Sequence, residues 1–354
     1  MKTPRRNLIR IAATITAIGT AMGLVLEDRA WGQELNVLAG ANTVHIFPTV
    51  SEAHQISTLL GALPPGGLLT YHGGPVMTKA TTYAIFWVPA SGKLQNGAAT
   101  SMSAHYQNVQ SALLSLYPGH GIDNNNTQYY STSCSGFICF TSYIQNAGGL
   151  GGTWVDTQSY PASGCVDSAT PGNCLSDAQI QAEIKHALGM NPSWTAGSNS
   201  IFLLFTSSGE GSCAGASCAY VQYCAYHSYF TSGSTPVMYA NMPYGNTSVC
   251  QIGGVPSPNG DAAADTAATA TSHELTEAIT DPELNAWYNG AGSEIGDLCA
   301  YNYGANTWDS GNANQSWPEN YSNIIIIGGS GPIYYFELQQ EFDNHTGSCV
   351  QVGP

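Results

Sequence analysis

Five residues between Ser272 and Cys299 carry most of the chemistry legible in this chain: His273, Glu274, Glu277, Glu294 and Asp297, within "SHELTEAITDPELNAWYNGAGSEIGDLC". His273 and Glu277 are four residues apart. On a helix, at ~100° per residue, they lie ~40° apart on one face and one turn apart along the axis. Two ligands at that spacing can share one metal ion. Glu274, one step round the helix, reaches a metal-bound water. This is the geometry of the H-E-x-x-H metallopeptidases, with Glu277 in the place of the second histidine. A third ligand is expected from a following segment, and Glu294 and Asp297 stand 17 and 20 residues after Glu277. Glu294 is read as the ligand and Asp297 as the acid that orients His273. The reverse assignment stays open.

The chemistry implied is that of a secreted metal-dependent hydrolase, a zinc metallopeptidase in which Glu274 acts as general base on metal-bound water. One divalent metal is expected. Zinc follows from the analogy, while the oxygen-rich donor set also suits calcium or manganese. Exchanging a histidine for Glu277 has a chemical consequence. Two carboxylates neutralise the charge of a divalent ion, so it withdraws less electron density from its water. Two plainer readings compete: a metal that only holds the fold, or acids on a solvated helix face without metal. The Ala- and Thr-rich neighbours suit a packed helix and speak against the second. Ser207 and Ser208 lack a G-x-S-x-G elbow, which argues against a serine hydrolase.

These residues need a scaffold. "DAAADTAATATSHELTEAITDP" reads as their helix, capped by Asp261 and ended by Pro282, since a residue before proline leaves the α region. "SMSAHYQNVQSALLSLY" and "SDAQIQAEIKHALGM" have helical spacing, the latter with Ser176 and Asp177 as candidate caps. "TYAIFWV", "TWVDT", "SIFLLFTSS", "PVMYANMP", "SNIIIIGGS" and "IYYFELQQEF" read as strands. The expected fold is mixed α/β (α+β), a single compact zincin-like domain with long disulfide-tied loops. Residues 34–68 read as a leader or linker ending at "LPPGG", and the folded domain as 69–354.

Residues 1–33 have the pattern of an export signal, with a basic start, an apolar run and "AWGQ" as a processing region. The Arg5–Arg6 pair is of the twin-arginine type. A chain starting near Gln33 keeps Lys79, Lys93 and Lys185 against 21 acids, a formal charge of 3 − 21 = −18. That disfavours nucleic acid and anionic membrane surfaces as partners. The expected partner is a polypeptide or cell-wall substrate, and the expected state a monomer, secreted or periplasmic. All 10 cysteines lie beyond the signal, and no paired C-x-x-C motif occurs, so disulfides are favoured over thiolate metal sites. Cys134–Cys139, Cys165–Cys174 and Cys299–Cys349 are the pairs the spacing suggests.

Four stretches resemble the phosphate-induced protein/EXORDIUM family: "TYHGGPVMTKATTYAIFW", "YCAYHS", "TSHELTEAITDPELNAWYNGAGSEIGDLCAYNYG" and "FELQQEFDNHTGSCVQVGP". The likeness spans roughly residues 70–354. It implies an extracellular, wall-associated protein, and with it a non-catalytic alternative in which the metal is structural and the loops bind a wall component. The arginine pair and Ala225, where plant members have glycine, point to a microbial relative. The resemblance also singles out His227 as an additional ligand or a transition-state stabiliser beside the metal, against the plainer reading of a histidine hydrogen-bonded in a loop between disulfides. His72 in "YHGGP" reads as a turn residue.

Overall fold

Alternation of large side chains sets the core. In Ala80–Trp87, Tyr83, Ile85 and Trp87 enter one apolar cluster while Ala84 and Phe86 enter another. In Ser200–Thr206, Phe202 and Leu204 alternate likewise with Ile201, Leu203 and Phe205. Successive strand side chains point to opposite faces, so such strands need cover on both sides. The structure, a computed structural model, describes residues 35–60, 67–255, 257–304, 309–310, 324–327 and 333–353. The export-signal reading of residues 1–33 lies outside them.

Seven strands form the central sheet: β1 (Asn36–Ala39), β2 (Asn42–Pro48), β3 (Ala80–Trp87), β4 (Gly148–Asp156), β5 (Ser200–Thr206), β6 (Tyr223–Ser232) and β7 (Thr235–Met242). Their spatial order is β1-β2-β6-β7-β5-β3-β4. The β7, β5, β3 and β4 strands run parallel, and the β1, β2, β6 and β7 strands antiparallel. Helix α1 (Val50–Leu60) follows β2. Helices α2 (Ala104–Leu116) and α4 (Ala262–Thr280) lie together on one face, and α3 (Asp177–Met190) covers the other. The β3–α2–β4 connection steps to the sheet edge. The β4–α3–β5 connection steps back past β3 with its helix on the opposite face. Reversing direction and face together keeps a single crossover hand.

The mixed α/β expectation therefore stands, and the helices and strands read from 83–88, 103–117 and 176–190 onward are present with small shifts at their ends. Residues 36–48 depart from the reading as leader: they form two strands of the central sheet. The expected pairs Cys134–Cys139, Cys165–Cys174 and Cys299–Cys349 are bonded, together with Cys213–Cys218 and Cys224–Cys250. Among the described residues no helix is long and apolar enough to cross a membrane.

Helix α4 is buried almost end to end, from Ala264 to Thr280. Its alanines and threonines make this feasible, because they let neighbouring backbone come close. A Cβ added to Gly245 would sit 1.9 Å from the Ala263 carbonyl oxygen. Asp261 caps the helix by accepting from the Ala264 N–H at 3.1 Å. At the other end the Asp281 carboxylate accepts from the N–H groups of Asn285 and Ala286, each at 2.6 Å, turning the chain sharply after Pro282.

On the α3 side, Glu183 is buried beside Asp156 at the end of β4. Burial, reinforced by the Asp156 carboxylate, pushes its carboxyl up to about 9. Burial also pushes Glu210 up to about 8, opposed by the hydrogen bond donated by Gln95 Nε2 at 2.7 Å. Both acids keep a proton in the folded protein where the unfolded chain has released it. Their contribution to stability is complete below about 4.5 and is lost as pH rises through about 8 and about 9. Denaturant unfolding across that range should show stability falling with pH, and Glu183→Gln should flatten the fall. An unchanged slope in the variant would contradict this assignment.

Candidate metal centre

The register of two neighbouring strands begins the site. His45 on β2 lies directly opposite His227 on β6. Opposed residues of an antiparallel pair share a face, and here that face is the one covered by α4. The register shifts by one residue between Tyr223 and Ala225, a bulge of the kind that re-aims side chains. The extra residue is Cys224, tied to Cys250. Beyond it, Tyr226 packs under α3 and His227 turns toward α4.

Helix α4 lays His273, Glu274 and Glu277 against these two histidines. The loop after it brings Glu294 and Asp297. That loop is held by the Cys299–Cys349 disulfide and by the Phe342 N–H donating to the Ile295 carbonyl at 3.1 Å. Gly296 permits the approach, since an added Cβ would lie 2.6 Å from His273 Nδ1 and 2.9 Å from Glu277 Oε1. The Asp297 N–H donates to Glu277 Oε1 at 3.1 Å, and the Glu294 N–H to Asp297 Oδ2 at 2.7 Å.

Three imidazoles and four carboxylates, with side chains 0–4% exposed, thus meet in one place. Among the described residues no lysine or arginine offsets them. The chain has no arginine beyond Arg29, and Lys79, Lys93 and Lys185 are all exposed. Burial, followed by the neighbouring carboxylates, holds Glu274, Glu277 and Glu294 well above the usual carboxylate range. Burial, followed by the other two imidazoles, pushes His227 well below the usual range. Burial holds His273 down to about 4. His45 moves the other way, because Asp297 and Glu277 outweigh its burial.

Many buried atoms lack hydrogen-bond partners: His227 Nε2, His273 Nε2, Glu274 Oε1, Glu277 Oε2, Glu294 Oε2 and Asp297 Oδ1. Orphaned buried polar atoms are rare in folded proteins. Carboxylates aimed together without a basic partner are the donor set a divalent cation satisfies. Two clusters have the compactness for this: His45, Glu277 and Asp297, and His227, Glu274 and Glu277, each with donor atoms within 4.8 Å of one another.

Hydrogen bonds assign the ring nitrogens. His45 lies between two acceptors, with Nδ1 3.2 Å from Asn36 Oδ1 and Nε2 2.9 Å from Asp297 Oδ2; a carboxylate only accepts, so without a metal Nε2 donates to Asp297, in keeping with the raised His45 pKa. His273 is arranged differently. The Gln339 amide is fixed by the Tyr301 N–H on its oxygen and by its own Nε2 donating to the Gly296 carbonyl at 3.0 Å. The same Nε2 therefore donates to His273 Nδ1 at 3.0 Å. The proton of the neutral ring is then on Nε2, 3.1 Å from Glu277 Oε1. No hydrogen bond satisfies that Nε2, and Phe47 packs against the ring, tilted by 31°, at 4.1 Å between ring centroids.

The structure therefore brings together His273, Glu274, Glu277, Glu294, Asp297 and His227, all singled out from the sequence. Asp297, rather than Glu294, joins the compact donor cluster. Glu294 sits beside the far nitrogens, 3.4 Å from His45 Nδ1 and 3.8 Å from His227 Nε2. His227 belongs to a buried strand, not a loop. His45 was missed entirely. The one signal for it was strand alternation in "NTVHIFP", where His45 and Phe47 share a face. His72 lies outside the cluster, exposed and stacked on Tyr288 at 3.6 Å. A cleft of about 560 Å³, lined among others by Asn42, Tyr229, Tyr288 and Asn289, reaches Asp281 and Glu294 at the edge of the centre.

No protein-family model matches the chain, and no solved structure matches it. Among curated proteins it is similar to Protein EXORDIUM-like 3 of Arabidopsis thaliana, 28% identical over 271 residues, which cover 67% of this chain and 69% of the relative. It is also similar to Protein EXORDIUM-like 5 of Arabidopsis thaliana, 44% identical over 52 residues, 14% of each chain. This homology supports the EXORDIUM family as the one to which the chain is related.

Proposed function

We propose that this is a secreted, EXORDIUM-like protein whose buried centre around Glu277 holds a divalent cation that fastens the fold rather than cleaving a substrate. The observation that carries the reading is the convergence of buried carboxylates and imidazoles with orphaned donor atoms and no lysine or arginine among the described residues beside them. A cation there would join β2 to α4 and the loop that follows it, some 230 residues later. The five disulfides favour an oxidising, extracytoplasmic compartment, and the homology to EXORDIUM-like proteins points the same way as the non-catalytic reading.

The position of Glu274 supports the structural role. A general base must reach an attacking water beside a bound substrate. Glu274 is fully buried between α4 and β6, with His227 Nδ1 on its Oε2 at 3.0 Å. The hydrolase reading keeps one observation in its favour, the cleft that reaches Glu294. In that reading a zincin-like arrangement would need chemistry at the Glu294 side, with Glu274 behind it.

Elemental analysis of the full chain purified without added metal tests the cation directly, and zinc or manganese in stoichiometric amount is the expected result. Chelation followed by thermal unfolding should lower stability by about 3 kcal/mol, the linkage expected at ~100-fold excess over the dissociation constant. Unchanged unfolding on chelation would refute the structural role. Across a peptide and protein substrate panel, neither the unmodified chain nor Glu274→Gln should cleave. Cleavage by the former that disappears in the latter, with metal and fold kept, would establish the hydrolase instead. Gly296→Ala should weaken metal binding by roughly tenfold or more, since displacing the loop misplaces Asp297 and Glu277 together; calorimetric titration with zinc measures it, and unchanged affinity would show that the loop's close approach is not needed.

A further inference from the structure

We infer that the centre binds a pair of divalent cations bridged by Glu277, a step that rests on the metal-binding reading above and goes beyond the single ion expected from the sequence. The two compact donor clusters share one residue, Glu277. His45 Nε2 and Asp297 Oδ2, 2.9 Å apart, lie on one side of it. His227 Nδ1 and Glu274 Oε2, 3.0 Å apart, lie on the other. Glu277 Oε2 is 3.9 Å from His45 Nε2 and 3.7 Å from His227 Nδ1, and it has no hydrogen-bond partner. A carboxylate standing nearly equidistant from two imidazole–carboxylate pairs is placed as a bridging ligand. Donors 2.9–3.9 Å apart suit the coordination edges of ions with metal–ligand bonds near ~2.0–2.2 Å.

Charge balance points to the same number. Deprotonated to bind metal, Glu274, Glu277, Glu294 and Asp297 bring four negative charges into a site that no lysine or arginine among the described residues reaches, with the buried carboxyls of Asp281 and Glu341 beside them. One divalent ion leaves two of them uncompensated in a low-dielectric interior, whereas two ions neutralise all four. Orphaned carboxylate oxygens fall on both sides of Glu277, with Asp297 Oδ1 on one and Glu274 Oε1 on the other. A single ion on either side would leave the other set without a partner. The donor chemistry, imidazole nitrogen with carboxylate oxygen on each side, suits zinc, manganese or iron rather than calcium.

Manganese(II) is the probe. Metal-free full chain is loaded with manganese, freed of excess by gel filtration, analysed for bound metal, and examined by electron paramagnetic resonance. Two equivalents per chain with an exchange-coupled spectrum are expected, as for ions ~3.5–4 Å apart. His45→Ala and Glu274→Gln should each keep one equivalent with an uncoupled spectrum. The stoichiometry and coupling of the unmodified chain decide the matter even where a variant fails to fold. One equivalent at saturation overturns the pair and leaves the metal-binding reading standing. Two equivalents without coupling overturn the bridge. No bound metal, with manganese or with zinc, overturns both.

Discussion

Four carboxylates held within a few ångströms of one another repel, and burying them removes the water that would screen the repulsion. In most proteins an arginine or lysine answers such a cluster. This chain has none to offer: beyond residue 29 it contains three lysines, all on the surface. The folded state must therefore either leave protons on several of these acids or admit a cation. The first alternative is what burial imposes on the metal-free centre, as the raised carboxyls show. The second also satisfies the atoms that protons alone leave without partners. Much of the surrounding architecture follows from bringing these groups together and fixing their orientation.

That architecture works through registers. The β2–β6 pairing sets His45 beside His227, and a one-residue bulge at Cys224 decides that His227 faces α4 rather than α3. Around the imidazoles a further layer of groups fixes each ring. Asn36 faces His45 Nδ1, and Gln339, clamped by two backbone groups, holds the His273 proton on Nε2. Two histidines of identical intrinsic chemistry are thereby held differently: His45 lies between two acceptors, Asn36 and Asp297, whereas His273 accepts at Nδ1 from Gln339. Residue type alone could not separate them.

How far the sequence revealed this depends on where each residue sits. Helix α4 and its loop were legible because a 3.6-residue period, a capping aspartate and a terminating proline are local signals, and because His273, Glu274 and Glu277 lie within one and a half turns. The fold class was legible from strands such as Ser200–Thr206, whose apolar runs imply cover on both faces. His45 was not, because its place depends on pairing with a strand some 180 residues later, and because "NTVHIFP", lying within the segment read as a leader, carries a polar residue on its inner face. Which of Glu294 and Asp297 stands with the compact donor clusters stayed open in the sequence: three residues apart in a loop, they are separated only by a backbone turn in which the Glu294 N–H binds Asp297 Oδ2. The Gln339 clamp comes from the last tenth of the chain and leaves no local signature.

The likeness to the zinc peptidases lies in one helix, and the surroundings of that helix argue for a different use. A peptidase helix presents its glutamate to an open groove. Here the helix is buried from Ala264 to Thr280, packed by small side chains against sheet and neighbour, with its glutamate on the inner strand's histidine. An acid so enclosed is well placed to complete a coordination shell and poorly placed to meet a peptide. The cleft that touches the centre does so at Glu294, the one carboxylate outside both compact clusters. A ligand in that cleft would meet the rim of the centre, so its binding and the occupancy of the metal would be coupled through Glu294, which stands beside both His45 and His227. Were the proposed cations bound, one set of residues would do two things: tie the N-terminal strands to α4 and the loop after it, and make the shape of the cleft floor depend on the ions beneath it.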